Sequence, residues 1–296
     1  MEETKNTVEL SDSLDVSQDG PARRSEDEAR LRSGELRRSE GGNNKEEDTL
    51  PEEAGDGEEA AFTSEEEELF REMMETGVFY GRSKARTNPL MKDYVLTTRA
   101  GFEVIDLKRT IVALADALNF IKRTVVKDKG PILLVGTSPA AKAIVKETAR
   151  SLDLPAVTER WLGGTLTNFK VIAERINQFK KLKSDIAAGK FEKHTKKERL
   201  ELDRELARSE ILFGGIEKLD RLPSLIIITD LVQNTLAAKE AQRTGIPVLA
   251  FVNTDADPRL VNHVIPANDK NPKSIKLLLD YLAKAIEEIK TVAPGE

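Results

Sequence analysis

The chain contains no cysteine, and its 296 residues include two histidines and one tryptophan. Without cysteine there is no disulfide framework, no thiol nucleophile and no sulfur-ligated zinc or iron–sulfur centre. His194 and His263 stand far apart, each without a neighbouring ligand, so neither reads as a metal site or a general base. No apolar run approaches the ~18 residues of a membrane span. The first residues lack the apolar core of a signal peptide and are too acidic for an organelle transit sequence. These shortages predict a soluble chain in a reducing, cytoplasmic setting, with no membrane, metal or cofactor.

Charge is plentiful but uneven. The formal net charge is −6, yet residues 1–68 hold 23 Asp/Glu against 8 Lys/Arg, a net −15. The other 228 residues hold 29 acids and 38 bases, a net +9. From Met1 to about Ala61 the chain is Glu, Asp, Ser, Gly and Arg with no aromatic residue. Such a composition cannot bury enough apolar surface to offset ordering entropy, which predicts a disordered acidic tail over 1–62. Its functional alternative is an acidic interaction arm. Order is expected to begin with a capping box in which Ser64 caps and Glu67 reaches back. Leu69, Phe70, Met73 and Met74 then share one helical face, and Gly77 ends the helix.

Beyond that helix, short apolar runs alternate with amphipathic stretches. Strands are predicted at Phe102–Leu107, Ile132–Val135, Leu225–Thr229, Val248–Val252 and near Val264-Ile265. Helices are predicted over Thr110 to about Val126, about Pro139–Leu152, Thr235–Thr244 and about Pro272–Lys290. All-apolar strands between helices mean a parallel sheet covered on both faces, built from right-handed crossovers. Between Trp161 and Leu222 the rhythm breaks. Phe169, Ile172, Ile176, Phe179, Leu182 and Ile186 form one helical stripe, and Leu202, Leu206 and Phe213 a second after a turn at Gly189. Two helices so joined predict an antiparallel hairpin inserted over about 165–215. Residues 170–197 carry nine Lys/Arg against three Asp/Glu.

Three patterns could carry chemistry. Gly136-Thr137-Ser138 leaves a strand and opens a helix, a geometry that can hold phosphate. It lacks both the G-x-G-x-x-G and the Gly-Lys-Ser/Thr signatures, so a structural turn is the favoured reading. Asp230, Asp255 and Asp257 follow strand ends, where α/β enzymes place magnesium ligands. Asp and Asn also cap turns there, and no positioned base or nucleophile accompanies them. The third pattern is basic. Residues 78–101 contain Arg82, Lys84, Arg86, Lys92 and Arg99 against Asp93 alone, with Tyr80, Gly81, Asn88 and Pro89 interleaved. This reads as an irregular loop suited to phosphate contact and stacking. With the basic hairpin and the +9 body, it favours nucleic-acid binding.

The nonapeptide Arg160-Trp161-Leu162-Gly163-Gly164-Thr165-Leu166-Thr167-Asn168 resembles the motif of small-subunit ribosomal protein two of the bacterial type. The resemblance extends to Leu69–Met91, Val135-Gly136-Thr137, Phe213-Gly214-Gly215-Ile216, Gly245-Ile246-Pro247-Val248, Asp255-Ala256-Asp257-Pro258 and Ile265-Pro266-Ala267-Asn268-Asp269, in order over about 66–290. It implies a flavodoxin-like open parallel sheet with an inserted helical hairpin. It also implies a non-enzymatic role: binding small-subunit rRNA at the head–body junction, beside ribosomal protein one near the mRNA exit. The chain departs from the family loop, which has histidines at Phe79 and Arg82 and tryptophan at Thr87, and keeps Asn88, Pro89 and Met91.

The resulting expectation is an acidic tail (1–62), an N-terminal helix and basic loop (63–101) and an α/β domain (102–296). The expected rRNA contacts are Arg82, Lys84, Arg86, Asn88 and Lys92 in the loop, and Lys180, Lys181, Lys183, Lys196 and Lys197 on the hairpin. Arg160, Trp161, Gly163 and Gly164 are expected to anchor the hairpin root. The partners expected are rRNA and other small-subunit proteins, without a stable homo-oligomer. The rival from another class is a nucleotide- or sugar-phosphate-binding α/β enzyme using Gly136–Ser138 and the three aspartates.

Overall fold

The computed structural model describes residues 63–127, 130–191 and 194–292, with side chains at 125–127 and 291–292 outside the description. The expected acidic tail lies outside the described residues. Helix α1 (Ser64–Thr76) opens with a capping box one residue earlier than predicted. Thr63 has extended backbone and is the cap: its hydroxyl accepts from the Glu66 N–H, and its own N–H donates to the Glu66 carboxylate at 2.9 Å. Ser64 is already helical, and the Thr–Glu spacing satisfies the same rule. Gly77 ends the helix in the left-handed conformation.

The segment read as irregular supplies two strands of a small antiparallel sheet. Strands β1 (Tyr80–Ser83) and β2 (Val95–Arg99) both pair with β3 (Phe102–Ile105), in the order β1-β3-β2. The predicted strand at Phe102 therefore exists, but apart from the parallel sheet. Two short 3₁₀ helices, Lys84–Arg86 and Pro89–Tyr94, connect β1 to β2.

After helix α2 (Leu107–Lys127) come β4 (Ile132–Val135), α3 (Pro139–Ser151), the two-residue β5 (Ala156–Val157), helices α4 (Phe169–Ala187) and α5 (Lys196–Phe213), β6 (Leu225–Ile228), α6 (Thr235–Thr244), β7 (Val248–Val252), β8 (His263–Pro266) and α7 (Pro272–Val292). Strands β4 to β8 form one parallel sheet in the order β5-β4-β6-β7-β8, the doubly wound order of a flavodoxin-like fold. The all-apolar strands are explained by two covered faces. Ile132, Leu134, Leu225, Ile227, Leu249 and Phe251 join a core with α1, α2, α3 and α7. Their neighbours Leu133, Val135, Ile226, Ile228, Val248 and Ala250 face a second core with α6, Trp161 and the hairpin root. Alternate side chains point to opposite faces, so each strand must be apolar throughout.

Helices α4 and α5 form the expected hairpin. Thr195 and Glu198 cap α5 with a second capping box, on the same Thr-x-x-Glu spacing. Ile172, Ile176, Phe179 and Phe213 are buried near the root, whereas Leu182, Ile186, Leu202 and Leu206 are only half-buried farther out. Two helices alone can cover one stripe each, so burial thins away from the sheet.

Candidate nucleic-acid interface

The β1 segment is held on the C-terminal end of the parallel sheet. The Arg82 N–H donates to the Thr254 hydroxyl (2.8 Å), and the Asn88 N–H donates to the Thr254 carbonyl (2.7 Å). The Arg82 guanidinium reaches two carboxylates, Asp255 at 3.2 Å and Asp269 at 3.1 Å. Asn253 also donates to Asp269 (2.9 Å), and Lys270 pairs with Asp230 (2.7 Å). Arg82, expected on phosphate, is thus committed to closing this polar cluster. Asn88 is committed too: its side chain accepts from the Leu90 N–H and caps the second 3₁₀ helix. Lys84, Arg86 and Lys92 are exposed, with no carboxylate partner among the described residues.

Asp269 is 1% exposed. Burial, joined by the nearby Asp230 carboxylate, pushes it up to about 6 against the pull of Asn253, Lys270 and Arg82. Between about pH 4 and 6 the folded chain holds a proton there that the unfolded chain has shed. The contribution of Asp269 to stability therefore falls as pH rises through that window. Asp269→Asn removes this titration. The urea midpoint of the parent, relative to that variant, should decline from pH 4 to pH 6; a constant difference would overturn the assignment.

The hairpin root is locked by a residue that the sequence pattern did not bring forward. Glu240, on α6 and 4% exposed, accepts from the Trp161 indole (3.2 Å), the Gly164 N–H (2.8 Å), the Leu166 N–H (3.0 Å) and the N–H and hydroxyl of Thr167 (3.4 and 3.3 Å). Burial pushes the Glu240 carboxyl up, but these donors together hold it below the ordinary glutamate value. Trp161 is 7% exposed and lies in the core against the sheet. Gly164 has φ +89°, a conformation costly for any residue with a Cβ. Gly163 is exposed with room for a side chain, and Arg160 is exposed and outside the lock. The signal for Glu240 was its position: it lies on the face of α6 that also carries the buried Ala237 and Ala241.

The hairpin lysines divide in the same way. Lys183 sits between Glu217 (3.1 Å) and Glu210 (3.6 Å), which hold its ammonium charged, and Lys180 lies 3.5 Å from Asp220. Lys181, Lys196 and Lys197 are exposed without a carboxylate partner among the described residues.

The rival site is filled by the fold itself. Ser138 is fully buried and caps α3 by accepting from the Ala141 N–H. A Cβ on Gly136 would lie 2.6 Å from both the Thr229 hydroxyl and Val145, so that glycine serves strand–helix packing rather than phosphate approach. Asp230 is neutralised by Lys270, Asp255 by Arg82, and Asp257 by Arg259 at 2.9 Å. The described residues contain no acid or histidine group arranged to hold a metal ion, and no helix among them is long and apolar enough to cross a membrane. His263 stacks on Phe120 at 3.9 Å, and burial holds its imidazole below the ordinary value.

Residues 73–289 match the family model described as ribosomal protein S2. Among curated proteins, the chain is 42% identical over 218 residues to the small ribosomal subunit protein uS2 of Roseiflexus sp. (strain RS-1), covering 74% of this chain and 83% of that relative. The uS2 of Roseiflexus castenholzii (strain DSM 13941 / HLO8) is 41% identical over 218 residues, covering 74% and 82%.

Proposed function

Because this chain belongs to the ribosomal protein S2 family, we propose that it is a structural, non-enzymatic constituent of the small ribosomal subunit that holds rRNA at the head–body junction and so supports translation in the cytoplasm. The observation that carries this reading is the family match across nearly the whole described body. Its expected neighbours are other small-subunit proteins, ribosomal protein one near the mRNA exit among them; no cofactor, catalytic step or homo-oligomer is invoked. The exposed Lys84, Arg86 and Lys92 of the loop and Lys181, Lys196 and Lys197 of the hairpin suit phosphate, because they bring charge that no described carboxylate neutralises. Lys180 and Lys183 would have to leave carboxylates to take part, and Arg82 and Asn88 act by shaping the loop. Affinity then comes mainly from cation–phosphate contacts, with shape rather than base edges setting the site.

The test is co-sedimentation of a tagged copy with small subunits, at ~0.1 M and then ~1 M salt, between which the screening length falls about threefold. Near-stoichiometric co-migration at low salt and partial stripping at high salt are expected; failure to co-migrate would overturn the role. Reversing Lys84 and Arg86 to Glu should leave the melting temperature unchanged and weaken incorporation. The slope of log affinity against log salt should become shallower by about 2, one for each phosphate that is no longer neutralised. Unchanged incorporation of that double variant would remove the loop from the interface.

A further inference from the structure

The small antiparallel sheet has two unlike faces. Its inner face carries Gly81, Glu103 and Ile105, and the β1 segment closes onto Thr254 there. Its outer face is set by register. Tyr80 pairs with Val104, Ser83 and Arg99 pair with Phe102, and Thr97 pairs with Val104. Directly paired residues share a side, and so do residues two apart on one strand. Tyr80, Phe102, Val104, Thr97 and Arg99 therefore lie together on the outer face. Tyr80 and Phe102 are each 56% exposed. A folded chain seldom leaves two large rings in water on one sheet face unless something covers them.

The surrounding charge indicates what that is. Arg99 stands across the strand from Phe102, and the Lys84 N–H donates to the Gly101 carbonyl (3.0 Å), which brings a second exposed cation to the hairpin tip. Glu103, the only carboxylate within β1, β2 and β3, is turned inward, where it accepts from the Thr98 hydroxyl at 2.8 Å. Tyr80 is backed by the Phe79 ring, with centroids 4.2 Å apart, so its plane is supported from within. Two exposed aromatic residues at diagonal cross-strand positions, about 7–8 Å apart in the backbone, with two cations and no outward carboxylate on the three strands, match the chemistry of an unpaired RNA strand, whose bases stack on rings while its phosphates meet Arg and Lys. We propose that the outer face of this sheet, through Tyr80 and Phe102 with Arg99 and Lys84, is a stacking platform for unpaired RNA bases. The proposal rests on the RNA-binding reading above and gives the loop region a base-contacting surface beside its phosphate-contacting cations.

The test uses the full chain and fluorescein-labelled hexauridylate, beside a hexamer of the same ribose-phosphate backbone lacking bases, read by anisotropy. Hexauridylate should bind more tightly than the abasic strand. Tyr80→Ala and Phe102→Ala should each weaken hexauridylate about tenfold, the order expected of one stacked base, and leave the abasic strand unaffected. Both side chains are exposed, so the variants should fold. As a further check, Phe102→Trp should retain binding, and its indole emission should be quenched by hexauridylate, since the only native tryptophan is buried. Equal binding of the two strands, or alanine variants that bind as the parent does, would overturn the platform. Co-sedimentation with subunits would still stand in that event, so the two readings fail separately. Alanine variants that lose subunit co-sedimentation but keep hexauridylate affinity would mean that a protein covers the face, which also overturns the proposal.

Discussion

Replacing Glu240 by alanine should lower the melting temperature by on the order of 10 °C. The carboxylate is the shared acceptor for one indole N–H, three backbone N–H groups and one hydroxyl. Its removal leaves the donors of the buried Trp161 and Leu166 without their acceptor. Each orphaned buried donor costs about 1–3 kcal/mol. With the exposed Thr167 free to find solvent, the total is about 2–6 kcal/mol, and a body of this size loses about 2–4 °C per kcal/mol. Glu240→Gln should fall between parent and alanine. It keeps one acceptor oxygen but points an amide donor at donors on the other side. Hydrogen exchange at Gly164, Leu166 and Thr167 should accelerate in both variants, alanine more. An alanine variant within about 2 °C of the parent would mean that the loop finds other acceptors.

Arg82→Glu should be comparably damaging, and for a reason opposite to its expected role. Removing the guanidinium leaves Asp255 without its cation and the buried Asp269 with only Asn253 and the more distant Lys270 (3.8 Å), and the new carboxylate adds a like charge. Breaking a buried pair from one side costs about 3–5 kcal/mol. The expected result is a fall in melting temperature of on the order of 10 °C at pH 7. The loss should narrow toward pH 5, where Asp269 takes up its proton. Weaker incorporation of this variant into subunits would then report a damaged fold, whereas the Lys84 and Arg86 reversal reports the interface. A variant that melts with the parent at both pH values would return Arg82 to the pool of free phosphate ligands.

The contrast shows what the sequence can carry. Ile132–Val135, Leu225–Ile228 and Val248–Val252 are readable because each must be apolar on both sides, a local and unambiguous pattern. The hairpin is readable because its stripes persist for several turns. By contrast, β1 and β2 are mostly polar, and their pairing with β3 is interrupted by Gly81 and a register shift in each, so neither strand period is visible. Strand β5 is too short to show any period. Counting cations brought Arg82 and Lys183 forward correctly as charges but could not see their carboxylate partners, since Asp255 and Asp269 arrive from 173 and 187 residues away. Trp161 was legible as a buried root residue, yet the group that fixes it was not, because a glutamate on an amphipathic helix ordinarily faces water.

The lock between Arg82 and its two aspartates also sets an order of events during synthesis. Chains are made from the N-terminus at about 5–20 residues per second, so Asp255 is added roughly 10–35 s after Arg82. Through that interval the nascent β1 segment has no Thr254 to receive its amide and no carboxylate to receive its guanidinium. Glu240 likewise follows Trp161 by 79 residues. The earliest-made strand and the hairpin root thus both wait on the final quarter of the chain to be fastened. A chain stopped short of Asp255 would lack β8 and α7 as well as this lock, and the region that bears the loop cations would have nothing to fasten it.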